Sequence, residues 1–316
     1  MRVLVAGATG VIGRRLVPLL LSSGHEVVAL ARSRSRVPAD WPDGVETVLA
    51  DALDREALSA AVERARPQAL VHLLTAIPAE INPRHMDRAL APTNRLRTEG
   101  TRNLLAAAQR AGVRRIVAQS VAYYYEPDDR EPANEDVPAW RNPPRALAPV
   151  LAAADDLERQ VAGAGGLTLR FGHLYGSGSA FAPGGSFVRQ ARKGSLPLIG
   201  RGPGATFSFT HAHDAATAVV AALDKSVTGV LNVVDDEPAP IAVWLPELAR
   251  LVGGRPPRRV PTALARLAVG AGGVAFMTRL RGADNARAKL SLDWRPRYAT
   301  WRAGFTAELG GVGAGA

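Results

Sequence analysis

Gly7, Gly10 and Gly13 follow one another at intervals of three, directly after the apolar run Val3 to Ala6. The chemistry that this spacing serves is pyrophosphate binding. A buried strand, a turn free of side chains and a helix start let backbone approach a dinucleotide and place unpaired amides under its phosphates. Gly7 allows the tight turn, Gly10 the close approach, and Gly13 the packing of helix on strand. Thr9, Val11 and Ile12 lie within the same turn and are expected to touch the cofactor. The alternative is a glycine-rich turn without a ligand.

The residue closing the second strand, Glu26 to Ala31, selects the cofactor. A carboxylate there would hold the ribose 2′-hydroxyl of NAD. The chain instead continues Arg32-Ser33-Arg34-Ser35-Arg36, with no acid. Guanidinium and hydroxyl groups suit a 2′-phosphate, so NADP is expected, with NAD the alternative. Without a ligand the same residues read as a solvated basic loop. Asp51, with Ala52 beside it, follows the third strand, Val45 to Ala50. Its carboxylate either accepts a bond from the adenine amino group or caps the next helix. The fourth strand, Ala69 to Leu74, brings Leu73, Leu74 and Thr75 to the nicotinamide ribose.

These residues need a scaffold of alternating strands and helices, which means an α/β, Rossmann-type doubly wound parallel sheet with a smaller C-terminal substrate lobe. The expected helices include Thr93 to Gln109 and Ala152 to Ala162, after loops over Thr75 to Pro92 and Glu126 to Pro149. Strand five is expected at Ile116 to Ala118 and strand six at Leu167 to Phe171. Residues 1–171 form the dinucleotide domain, with 207–233 returning to the sheet. Residues 172–206 and 234–309 form the lobe, and the small-residue tail 310–316 is expected to be disordered.

Composition narrows the function. The chain has 316 residues, 47% hydrophobic, and no cysteine, which excludes disulfides and thiolate chemistry. No charged-then-apolar leader precedes the first strand, and Ala263 to Thr278 is too short to span a membrane, so a cytoplasmic protein is expected. The net charge of +10 is carried almost wholly by arginine, since Lys193, Lys225 and Lys289 are the only lysines. The arginines are scattered, so no nucleic-acid partner is expected. The histidines are separated and lack carboxylate company, so no metal site is expected.

Several stretches together resemble the extended short-chain dehydrogenases, the NAD-dependent epimerase/dehydratase family. They are Gly7-Ala-Thr-Gly-Val-Ile-Gly13, Asp51, Glu99 to Leu105 with Ala111 to Val117, Leu169-Arg-Phe-Gly-His-Leu-Tyr-Gly176, Phe209-Thr-His-Ala-His-Asp214 and Trp294-Arg-Pro-Arg-Tyr298. The resemblance implies a Tyr-x-x-x-Lys pair on the helix before strand six. There the lysine lowers the tyrosine's pKa and holds the nicotinamide ribose, and the tyrosine moves the proton. Counting back from Glu158, those positions fall on Val150 and Ala154, and no lysine occurs before Lys193. The chain is therefore an atypical member without the standard proton relay.

The candidates to replace that relay are Tyr123, first of Tyr123-Tyr124-Tyr125 beyond strand five, helped by Ser120 and His173. His173 is expected to bond substrate or act as an acid, and the alternative is a structural histidine on a backbone carbonyl. Tyr125, His173, Tyr175 and His211 are expected to line the substrate pocket. The leading reading is an NADP-dependent oxidoreductase on a small carbonyl, hydroxyl, activated alkene or imine. The alternatives are a non-redox isomerase, dehydratase or cyclase, and a silent NADP-binding sensor. The resemblance also implies a homodimer through the helices at Thr93 to Gln109 and Ala152 to Ala162.

Overall fold

The structure, a computed structural model, describes residues 1–127 and 131–310, so all but the first residue of the expected tail 310–316 lies outside the described residues. The chain begins with Arg2–Ala6 (β1), Gly13–Ser22 (α1), Glu26–Ala31 (β2), Val45–Leu49 (β3), Arg55–Ala65 (α2) and Ala69–His72 (β4). It continues through Met86–Arg95 (α3), Thr101–Arg110 (α4), Arg115–Val121 (β5), Ala148–Gly163 (α5) and Leu167–Phe171 (β6). The short strands His173–Tyr175 (β7), Leu198–Ile199 (β8), Thr206–Phe207 (β9) and Phe209–His211 (β10) follow, with Ser186–Lys193 (α6) among them. Ala212–Leu223 (α7), Gly229–Val233 (β11), Ala239–Pro240 (β12), Ile241–Leu251 (α8), Arg259–Val260 (β13), Thr262–Thr278 (α9), Ala286–Leu292 (α10) and Trp301–Leu309 (α11) complete it.

Seven strands form one sheet in the order β11-β6-β5-β4-β1-β2-β3. Every pairing in it is parallel. Parallel strands buried on both faces need near-continuous apolar runs. Val3, Leu4, Val5 and Ala6 supply one, each fully buried. One face packs through Leu16, Val17 and Leu20 of α1 against Ala215 and Val219 of α7. The other packs through Leu58 and Val62 of α2, Leu104 of α4 and Leu157 of α5. Strand order reverses between β1 and β4, and a ligand crevice opens at the C-terminal ends of strands at such a point. A separate aromatic core, with Phe181, Phe207, Phe209, Trp244, Trp301 and Phe305, holds the lobe. No helix of the described residues is long and apolar enough to cross a membrane.

Three details differ from the sequence expectations. The helix expected from Thr93 starts at Met86 and runs through Pro92, then passes by one π turn, Leu96–Gly100, into α4. Proline is expected to break a helix, but here α3 packs along α5. Helix α5 starts at Ala148, before the expected Ala152, with Pro149 in its first turn, where a missing N–H costs nothing. The expected strand Phe207 to His211 breaks at Ser208, whose carbonyl accepts from His173 N–H and whose hydroxyl bonds the Ala283 backbone. Thr206–Phe207 therefore pairs with β12 and Phe209–His211 with β7, and of residues 207–233 only β11 re-enters the sheet.

A buried polar network ties β5, α5, β6 and β11 together. Arg170 on β6 is in register with Ser120 on β5 and Asn232 on β11. Its guanidinium grips Glu158 of α5 with two bonds, 2.9 and 2.5 Å, and donates to the Tyr125 hydroxyl at 2.8 Å. Tyr124 donates to Glu158 and Tyr125 to Asn232. Burial by itself would lower the pKa of Arg170, but the Glu158 carboxylate outweighs it and raises the value. Removing one partner of such a pair leaves an unpaired buried charge, typically costing about 3–5 kcal/mol. Glu158→Ala should therefore lower the unfolding free energy by roughly that amount, read by urea denaturation. A loss below about 1 kcal/mol would show the pair to be dispensable.

Candidate functional site

Close packing forces the glycine turn. Gly7 has φ +97°, and a Cβ there would sit 2.8 Å from the Leu73 carbonyl. A Cβ on Gly13 would overlap the carbonyl oxygens of Gly7 and Ala8. The Gly10 N–H closes the turn by donating to Gly7 O at 3.0 Å. Helix α1 then begins with no side-chain cap and no acid in its first turn. The Arg14 and Arg15 N–H groups donate to Gly10 O and Ile12 O, and the amides of Val11, Ile12 and Gly13 just before them are left for an anion. Any side chain at these glycines would fill the cradle, and the residues present fit a dinucleotide pyrophosphate. Val11 and Ile12 line the cleft over this turn. Thr9 completes the turn, its carbonyl accepting from Arg14 Nε at 3.1 Å.

At the adenosine end, Arg32 is exposed just past β2. The Ser33 hydroxyl bonds that of Ser35 at 2.9 Å. Asp51 stays exposed and accepts from the Leu53 N–H at 3.0 Å. The capping alternative for Asp51 goes instead to Asp54, which accepts from the Ala57 N–H at the start of α2. Ala52 is buried, with its carbonyl held by Asn103 at 2.9 Å. At the nicotinamide end, Leu73 and Thr75 line the cleft, and the Leu74 N–H donates to His72 Nδ1 at 3.3 Å.

The cleft has a volume of about 920 Å³ and runs from the glycine turn to the segment 177–187. Gly178 of that segment has φ +87°, and a Cβ built on it would come within 3.7 Å of Val11, so the segment passes close to the turn. A shallower hollow of about 480 Å³ on α2, around Arg55, Ser59 and Arg110, shares no residue with the glycine turn.

Ser120, Tyr123 and His173 are brought together on one wall of the cleft. Ser120 is 1% exposed and its hydroxyl has no partner. The His173 ring is stacked between Tyr123, at 4.7 Å, and Phe207, at 4.0 Å. Its Nδ1 lies 3.2 Å from the Ser208 carbonyl, so that nitrogen carries the proton, and buried Nε2 is an acceptor without a partner. Burial pushes the His173 pKa down to about 3. The expectation of His173 as an acid is thereby corrected, because at neutral pH the ring is neutral and its cleft-side nitrogen can only accept. Burial raises the Tyr123 pKa, with the charge of Arg97 opposing it, so Tyr123 is a neutral phenol that can donate.

Three expected substrate contacts belong to the packing instead. Tyr125 turns away from the cleft, its hydroxyl held between Arg170 and Asn232 and its pKa pushed up to about 12 by burial. Tyr175 is 0% exposed and fits against Gly304 of α11, where a Cβ would collide with its ring. His211, 4% exposed, caps α7 through the His213 N–H and bonds Glu308 at 3.0 Å. Val150 and Ala154, at the places of the missing pair, are buried. Ala154 packs against Val121 and Tyr124, so apolar contact occupies the lysine's position.

One cleft residue escapes sequence reasoning. Arg97 lies in the π turn, is 3% exposed, and faces the cleft with Ser120, Tyr123 and His173. A signal for it was present, since Thr93, Arg97, Thr101 and Leu104 form one buried helical stripe with a charge in its middle.

The profile of the NAD dependent epimerase/dehydratase family matches residues 3–233. A 3-diazoavenalumate denitrifying reductase from a Streptomyces species is 46% identical over 311 residues, covering 98% of this chain and 100% of the relative. Among solved structures, the UDP-glucose 4-epimerase of Thermus thermophilus in complex with NAD is similar with a TM-score of 0.74 and 25% identity, covering 100% of both chains. The UDP-glucose 4-epimerase of Thermotoga maritima with UDP-glucose shares the fold with a TM-score of 0.75 at 20% identity, over 98% of this chain and 97% of that one.

Two buried imidazoles, His173 in the cleft wall and His72 behind it, are expected to stay neutral across the working range. Burial pushes His72 down to about 4, as it pushes His173 to about 3. Their ring ¹⁵N signals should stay nearly constant between about pH 6.5 and pH 9, above both values. A His173 midpoint near the ordinary 6.5 would restore it as an acid.

Proposed function

This chain belongs to the NAD-dependent epimerase/dehydratase family, and we propose that it is an NADPH-dependent reductase whose acceptor needs hydride but no proton from the enzyme, an aryl diazo compound in particular. The observation that carries this reading is a cleft without the tyrosine–lysine proton relay. Val150 and Ala154 stand where a tyrosine and a lysine would relay a proton. Tyr123 is a phenol raised by burial, and His173 is neutral with its proton on the far nitrogen.

Bound over the glycine turn, the reduced dinucleotide supplies the hydride. A carbonyl acceptor would then leave an alkoxide that must be protonated, and general acid help there is typically worth about 10²- to 10⁴-fold. An aryl diazonium group has no such need. Hydride adds to the terminal nitrogen, giving a neutral aryl diazene. The N–H electron pair next becomes the third bond of N₂, the C–N pair stays on carbon, and the proton passes from nitrogen to carbon. Cation plus hydride gives arene plus N₂, with no net proton. The Streptomyces relative, named for denitrifying reduction of a diazo carboxylate, supports extending this chemistry to the present chain. Activated alkenes and imines would still need a proton after hydride arrives, so they fit this cleft less well.

The chain's own residues would orient and enclose the acceptor. Tyr123 donates from its neutral hydroxyl, His173 Nε2 accepts, and Ser120 does either. The segment 177–187 lines the same cleft, and wherever it keeps water from a bound acceptor each of these bonds is strengthened. The preference for NADPH rests on Arg32 and Ser33 at an acid-free strand end.

The test is a stoichiometric assay of the purified protein with NADPH and an aryl diazonium salt that also bears a carboxylate, as the substrate in the Streptomyces relative's name does. One N₂ and one denitrified arene should form per NADPH oxidised. NADPH should bind more tightly than NADH, and Arg32→Asp should narrow or reverse the gap by calorimetry. Tyr123→Phe should keep turnover within about tenfold of wild type, below the 10²- to 10⁴-fold loss expected for a general acid. NADPH oxidation without nitrogen release would overturn the diazo reading, and tighter NADH binding would overturn the cofactor preference.

A further inference from the structure

Two arginines are buried within reach of the strand ends, and they are treated differently. Arg170 is saturated by Glu158 and Tyr125. Arg97 is 3% exposed, yet its guanidinium makes no hydrogen bond and no ion pair with any described residue. Burying a charge without a partner is costly, and proteins normally pair or remove it. Here the charge persists and acts on its surroundings, opposing the burial-driven rise in the Tyr123 pKa and pushing His72 further down.

Position and shape of the charge are both specific. The π turn Leu96–Gly100 interrupts an otherwise continuous helix, and such wide turns commonly occur at functional sites. Arg97 opens onto the cleft opposite no acid, since the described cleft lining contains no Asp or Glu. The other cleft arginine, Arg189, is already engaged by Glu80 and the Gly184 carbonyl. The pyrophosphate has its own site on the α1 amides. What is missing is a second anion, small and planar enough for the guanidinium fork. A carboxylate meets both conditions and can bond bidentately.

We infer that Arg97 is the anchor for a carboxylate on the substrate, so that the cleft takes aryl carboxylates and sets the reacting group toward the glycine turn. This rests on the reading of the cleft as a reductase site and adds the substrate's charge. A simple diazonium cation would be repelled by Arg97. A diazonium carboxylate presents its anion to Arg97 and its cation to the uncharged wall of Ser120, Tyr123 and His173.

The test separates the anchor from the chemistry. Benzoate and cinnamate are titrated calorimetrically into the protein saturated with NADP⁺, beside benzamide and cinnamamide. Wild type should prefer each carboxylate to its amide. Arg97→Met should weaken carboxylate binding roughly 10- to 100-fold, the range for losing a charge-assisted bond, and leave the amides unchanged. Arg97→Lys, which keeps the charge without the fork, should recover part of the loss. The Kd for NADP⁺ should stay within twofold, and the Arg97→Met melting temperature should equal or exceed that of wild type, because no protein group loses a partner. Equal binding of acids and amides by wild type, a parallel loss of NADP⁺ affinity, or a lower melting temperature would each overturn the assignment. Failure of the diazo assay with the carboxylate discrimination intact would overturn the proposed reaction and leave the anchor standing.

Discussion

The ion pair between Glu158 and Arg170 decides how the end of β5 is displayed. It locks α5 to β6 inside the protein, where a half-satisfied polar network would be worse than none. Satisfying it requires two hydroxyls, and the chain provides them from Tyr124 and Tyr125. Both rings lie against the Arg170 guanidinium, at 5.3 and 5.1 Å. Those two tyrosines are thereby drawn behind the cleft wall, and Tyr123 alone of the three faces the cleft, stacked on His173. The same network places Tyr124 against Ala154, so the space that a lysine would cross is already filled. Loss of the proton relay and the orientation of the remaining phenol follow from one arrangement.

Burial works in one direction throughout the cleft. It lowers the His173 imidazole and raises the Tyr123 phenol, and each shift favours the uncharged form. A wall of neutral donors and acceptors is poorly suited to giving or taking a full proton. It is well suited to orienting an acceptor while hydride arrives, since positioning alone contributes a large part of the barrier reduction in many enzymes. The standard tyrosine–lysine relay is absent from its place, where Val150 and Ala154 stand. A lysine placed at position 154 would enter a cluster of Val121 and Tyr124, with no anion in that cluster to receive it.

The parts of the molecule legible in the sequence are those fixed by near neighbours. The strand β1, the glycine turn and α1 lie within one stretch of chain, and apolar runs mark the other parallel strands. Tyr123 lies just past strand five, Ser120 and His173 stand at positions the family resemblance marks, and the sheet brings all three to the cleft. Tyr125, Tyr175 and His211 were illegible because distant partners decide their directions. Tyr125 meets Asn232 across 107 residues, and His211 meets Glu308 across 97. Tyr175 needs the bare backbone of Gly304. The split of the strand at Ser208 is of the same kind, since it depends on Ala283. Helix α3 was shortened in reading because Pro92 is a strong local signal, overridden by packing on α5.

Arg97 and Arg170 show where local reading ends. Both are arginines in apolar surroundings, and composition treats them alike. Arg170 sits on a strand with a carboxylate across from it, so its charge is spent on the fold. Arg97 sits one turn from the start of α4, where a regular helix would have continued the stripe of Thr93, Thr101 and Leu104. Arg97 keeps its place on that buried stripe and lines the cleft. A regular helix with an apolar residue there would be the more stable solution by the cost of an unpaired charge. That the chain keeps both the wide turn and the charge places the compensation outside the polypeptide, in what the cleft binds.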